Sequence, residues 1–179
     1  ADVKFAPVLG VEYLYLSGEK GNGNTTGDFE AWDPMYRSKT MGLIHDELES
    51  SFATADPADT SGLTNQHTIK ATGSVDLGEL VDGLSLDLAY LHYWFAEEPI
   101  KAAKDDIGDE INLTIAYDYT EDVQFALEGA VFMPGDYYND THAASAISGE
   151  DQSIAAQDAA SKSFSDNAVS IIGSCKVSF

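Results

Sequence analysis

Carboxylates are the first candidates for chemistry, because 31 Asp and Glu stand against 9 Lys and Arg among 179 residues, a formal net charge of −22. The densest group lies in "KDDIGDE" (104–110). Hard divalent cations take carboxylate oxygens, so Asp105, Asp106 and Asp109 are candidate Ca²⁺ ligands, although the stretch lacks the EF-hand spacing and its glycine. Glu150, Asp151 and Asp158 form a looser acidic group. His45, His67, His92 and His142 stand apart, with no pair four residues apart and no cysteine pattern beside them, which argues against a catalytic metal. Asp136, Asp140 and Ser145 lie near His142, the residue types of a hydrolase, yet no motif orients them. "GNGNTTGD" (21–28) has no strand-to-helix context and is no phosphate cradle. Sequons at Asn24, Asn112 and Asn139 are what a Thr- and Asn-rich chain contains by chance. The lone Cys175 excludes an internal disulfide framework and a thiolate zinc cluster. The expectation is a chain without catalytic residues and without a cofactor, apart from Ca²⁺ in its loops.

The remaining charges are placed one at a time. Glu12, Lys70, Asp76, Asp87, Glu110, Asn112, Glu128 and Lys176 each alternate with apolar neighbours. In "INLTIAYDYTEDVQFALEGAVF" (111–132), Ile111, Leu113, Ile115 and Tyr117, then Val123, Phe125, Leu127 and Val131, occupy every second position. A period of two puts them on one face of a strand and the polar residues on the other. The pattern recurs six times and predicts strands near 3–16, 67–77, 84–95, 110–119, 122–133 and 168–179. Short connections at 78–83 and 119–122 alternate with long polar ones at 18–66, 96–109 and 134–165. Counting strands back from Phe179 puts every long connection at one end and both short ones at the other. Transmembrane β-barrels have that asymmetry, with tight periplasmic turns and long external loops. No run approaches the ~18 apolar residues of a membrane helix, but a membrane β-strand needs only ~9–11 alternating residues.

Whether the apolar face meets lipid or a second sheet turns on four features. Aromatic residues sit at strand ends (Tyr13, Tyr15, Tyr90, Trp94, Tyr117, Tyr119 and Phe179), where membrane girdles form. Mid-strand charges on the opposite face are costly inside a sandwich and at home in water. The loops are asymmetric. A phenylalanine closes the last alternating strand, resembling the signal read by the outer-membrane insertion machinery. A secreted acidic β-sandwich shares the alternation alone. The expected fold is therefore an all-β, antiparallel transmembrane barrel of outer-membrane type, against lipid and lipopolysaccharide in the outer membrane of a Gram-negative bacterium. Nucleic acid is excluded as a partner by the charge. A homotrimer suits a porin, although no residue counts subunits.

"GVEYLYLSGE" (10–19) followed by "FEAWDPMYRSKTMGLIHDE" (29–47) resembles the strand-then-loop block of alginate-export-type outer-membrane porins. So does "LSLDLAYLHYWFAEE" with "DDIGDEINLTIAYDYTEDVQFALEGAVFMPGDYY", in which the acidic entry and the "FMPGDYY" exit are the most specific parts. The resemblance implies the C-terminal strands of a larger barrel, since six strands are fewer than the ~8 of the smallest barrels. It also implies arginine and lysine along the pore, to pass a polyanion. This chain departs from that, with carboxylates outnumbering lysines on the predicted inward face. Such a lumen repels a uronate chain and attracts cations.

The functional expectation is a porin for passive diffusion of small hydrophilic solutes or ions, biased to cations or neutral solutes. The inward face would line the pore, and the 18–66 loop, with Arg37 and Lys39, would narrow its mouth or add a hairpin at 41–48. Alternatives are a polysaccharide export pore, a small structural or adhesive barrel with acidic ligand-binding loops, and the sheath of a porin–cytochrome conduit.

Overall fold

A period-two chain with one oily face has to pair along its edges and leave its two faces chemically distinct, and the computed structural model shows both. It describes residues 4–18, 32, 41–46, 64–97, 104–139 and 166–178. The strands are β1 (Val8–Leu16), β2 (Gln66–Asp76), β3 (Leu84–Phe95), β4 (Asp106–Thr120), β5 (Val123–Pro134) and β6 (Ala168–Val177), and α1 (Asp136–Asn139) is a single helical turn. All six strands join in one antiparallel sheet in sequence order. Consecutive hairpins put the connections β2–β3 and β4–β5 at one end, here the turn end. The other three leave from the loop end.

Three boundaries differ from the sequence-based expectation by two residues or more, and several others by one. β1 starts at Val8 rather than residue 3, because Phe5 and Ala6 take positive φ (65° and 38°) and the chain turns before it pairs. β4 starts at Asp106 rather than 110. Its register shifts between Tyr93, opposite Gly108, and Trp94, opposite Asp106. Ile107 is left between them and turns inward, 1% exposed. β6 ends at Val177. The tight turn into β3 rests on Gly83, whose φ of 79° leaves no room for a side chain against the Asp118 carbonyl.

The sheet is open. β1 and β6 are its two edges and do not pair with each other. One face carries Leu9, Val11, Ile69, Leu88, Ile111, Leu113, Ile115, Leu127 and Ile171, all exposed, with Leu9 at 85% and Ile171 at 75%. This apolar surface runs across every strand, far beyond the scattered hydrophobics of an ordinary soluble surface. Aromatic rings border it at both ends. At the loop end Tyr15, His67, Trp94 and His92 stack in series, with centroids 4.9, 5.1 and 5.3 Å apart. Tyr13 donates to or accepts from His67 Nδ1 at 2.6 Å. At the turn end Tyr119 lies between Tyr117 and Phe125, at 6.4 and 6.3 Å. From Leu84 to Trp94, β3 rises roughly 33 Å at ~3.3 Å per residue.

Candidate functional site

The opposite face is divided. Sequence parity makes it mostly small and polar, but Leu91, Tyr93, Ala130 and Phe132 also project from it, and each is at most 3% exposed. What covers them is residues 41–46: Met41 and Ile44 join Leu91, Tyr93, Ile107, Ala130 and Phe132 in the one buried apolar cluster among the described residues. The loop-end half of this face is thus packed, and the turn-end half is open.

Polar groups hold residues 41–46 in place. The Glu110 carboxylate accepts from three consecutive backbone amides: Leu43 (2.5 Å), Ile44 (3.2 Å) and His45 (2.8 Å). Successive N–H groups converging on one anion form a concave nest, and here they satisfy a carboxylate that is fully buried. Gly42 has to be glycine, since a Cβ there would collide with Tyr93 Oη and the Glu110 carboxylate. Asp46 Oδ2 accepts from the amides of Met41 and, at 2.8 Å, Gly42. From β2, Lys70 Nζ donates to the Met41 carbonyl at 2.9 Å, and Gln66 Oε1 lies 3.0 Å from His45 Nε2. The His45 ring packs on Phe132, with centroids 5.5 Å apart.

Burial pushes the Asp46 carboxyl above the usual carboxylate range, against the Gly42 and Met41 amides and His45, which favour its charged form; Glu110 adds to the rise. An acid weakened by folding stabilises the fold most below its unfolded value, near ~3.9, and that contribution is lost as pH rises through the folded value. Asp46→Asn removes this dependence. We expect the melting temperature of the wild type, minus that of Asp46→Asn, to fall as pH rises above about 4, the unfolded value. A constant difference would show that Asp46 titrates normally.

Two of the expected pore-lining residues are buried in this structure. Glu110 is fully buried and anchors residues 41–46. Asn112 is 7% exposed, and its Oδ1 has no hydrogen-bond partner among the described residues. The other expected residues divide by position. Asp87 and Glu128 stand in one cross-strand row, Ser74–Asp87–Thr114–Glu128–Ile172, two strands apart or about 10 Å at ~4.8 Å per strand. Lys70 lies opposite Glu12 in the β1–β2 register. Asp76 sits at the turn end, where its Oδ1 accepts from the Gly78 amide at 2.7 Å. Lys176 is exposed on edge strand β6, opposite Gln124.

The acidic group at 105–109 does not converge. Asp105 is exposed, Asp106 Oδ1 is buried without a partner, and Asp109 Oδ1 accepts from Tyr90 Oη at 2.6 Å and lies 3.0 Å from His92 Nδ1. Among the described residues no three metal-ligating side chains gather. Arg37, Lys39, Phe179, His142, Asp140 and Ser145 lie outside the described residues, as do Glu150, Asp151 and Asp158, while Asp136 opens α1. Of the expected 41–48 hairpin, the described part is no strand: bends at Leu43 and Ile44 lead into a helical start at His45 and Asp46.

Beneath Met41 and Leu43 lies a cavity of about 290 Å³, with Lys70, Asp87, Asn112 and Glu128 in its wall. A wider hollow of about 500 Å³ sits at the turn end between residues 82–83 and 118–124, but every residue lining it is exposed or half-buried. The first is the more selective environment. Neither a family model nor a curated protein matches the sequence.

Proposed function

We propose that this sheet is part of an outer-membrane β-barrel pore, in a Gram-negative bacterium, for passive diffusion of small hydrophilic solutes with a preference for cations or neutral molecules. The observation that carries this reading is the pairing of two opposite faces. One is an oily surface bounded by aromatic bands about ten residues apart along β3, a span that at a barrel strand's tilt of ~40° would match the ~25 Å height of a lipid-facing band. The other holds carboxylates in register below a folded-in loop segment. Lipid, with lipopolysaccharide at the loop end, covers the oily face. The free edges β1 and β6 pair with further strands, because an unpaired backbone edge cannot face hydrocarbon. On this reading the chain supplies the C-terminal strands of a larger barrel, a homotrimer being one assembly it suits.

Permeation is then governed by charge and width, with no bond chemistry. Residues 41–46 narrow the loop-end mouth, and Asp87 and Glu128 form the acidic ring below it, where low-dielectric walls strengthen their field. Such a field opposes passage of a polyanion, which weighs against polysaccharide export. A second reading, a filled structural barrel with acidic external loops, draws on the packed cluster beneath Met41 and Ile44.

Planar-bilayer recording separates them. The pore should pass current with K⁺ favoured over Cl⁻, and Asp87→Arg should shift the reversal potential toward anions while the protein still folds. A correctly inserted protein that passes no current would leave the filled barrel.

A further inference from the structure

We propose that the cavity beneath Met41 and Leu43 binds a small monovalent organic ammonium ion. The inference rests on the pore reading for its route of access, and on the cavity alone for its chemistry. Three properties of the wall select this class. The first is charge. Asp87 and Glu128 contribute two negative charges, and Lys70, drawn toward the Met41 carbonyl at 2.9 Å, contributes one positive charge. The balance of −1 matches a single cation.

The second property is an unmet acceptor. Asn112 lines the cavity, is 7% exposed, and has an Oδ1 with no hydrogen-bond partner among the described residues. An N–H donor brought into the cavity supplies the missing bond once the terminal amide, whose oxygen is itself covered, turns toward the space. The third is the roof. Met41 and Leu43 present apolar side chains, which favour a short hydrocarbon body and return nothing to a hydrated metal ion. At about 290 Å³ the space lies at the lower edge of small-molecule pockets, roughly 300–1,000 Å³, so the solute is a small amine. Asp87 and Glu128 flank Thr114 from either side, so the ammonium head lies between them and the alkyl tail points toward the roof.

Isothermal titration of the detergent-solubilised protein tests this with n-butylammonium, butyrate and n-butanol as probes. Butylammonium should bind at least about tenfold more tightly than either of the others. The double variant Asp87→Asn/Glu128→Gln, nearly isosteric at both positions and checked for sheet content by circular dichroism, should weaken it about tenfold or more. Equal affinity for the three probes, or an unchanged affinity in the folded double variant, would overturn the site. Conductance is read separately. Butylammonium binding without current retains the site and removes the pore, whereas current without ammonium preference retains the pore and removes the site.

Discussion

Glu110→Ala should release residues 41–46 from the sheet and widen the passage. Three backbone amides lose one shared, charged acceptor in a dry setting. Hydrogen bonds to a charged group contribute about 1.5–3 kcal/mol each, and bonds to one carboxylate are not additive, so a loss on the order of 3 kcal/mol is expected. That corresponds to roughly a hundredfold faster hydrogen exchange at the amides of Leu43, Ile44 and His45. Unit conductance should rise with it. Glu110→Gln, which keeps an oxygen acceptor and drops the charge, should fall between alanine and wild type. If exchange at those three amides is unchanged in Glu110→Ala, the carboxylate does not hold the segment.

The second large effect distinguishes the two faces at neighbouring positions. Leu88 stands mid-strand on the oily face, 49% exposed, opposite Gly73 on one side and Leu113 on the other. If lipid covers that face, Leu88→Arg brings a guanidinium near the bilayer midplane at a cost of ~2–4 kcal/mol. Asp87 points the other way, so its arginine variant stays in water and changes permeant charge instead. Denaturant titration in liposomes should therefore separate the pair by a few kcal/mol, an order-of-magnitude expectation from the same depth dependence. Equal losses for both variants would mean that hydrocarbon does not contact the Leu88 side.

The sheet was legible because side-chain alternation is a local signal. Leu84, Leu86 and Leu88 against Ser85 and Asp87 define a face without knowledge of any partner. Aromatic residues at the ends were legible for the same reason. His92 shares its parity with Tyr90 and Trp94, and His67 with Ile69, so their place in the loop-end band was available from spacing, although both look isolated when histidines are sought as metal pairs. Other features were not legible. Ile107 inserts one residue into β4, and nothing in "DDIGDE" announces where the register slips. Leu91 and Tyr93 have the parity of a wet face, and only the segment that covers them makes that face dry. Glu110 reads as one more lumen carboxylate until its partners appear 65 to 67 positions away. The more apolar character of "MGLIHD" within a polar loop was the sole hint of that docking.

Residues 41–46 are gripped from β2 by Lys70 and from β4 by Glu110, with β3 lying between. A strap fastened on both sides of a strand resists sliding of the flanking strands as well as lifting of the strap. Stiffness is therefore distributed unevenly along the staves: the rim bearing the long connections is braced, and the opposite rim depends on ladder hydrogen bonds and two tight turns. Mechanical or thermal fraying should accordingly begin at the unbraced end and reach residues 41–46 last.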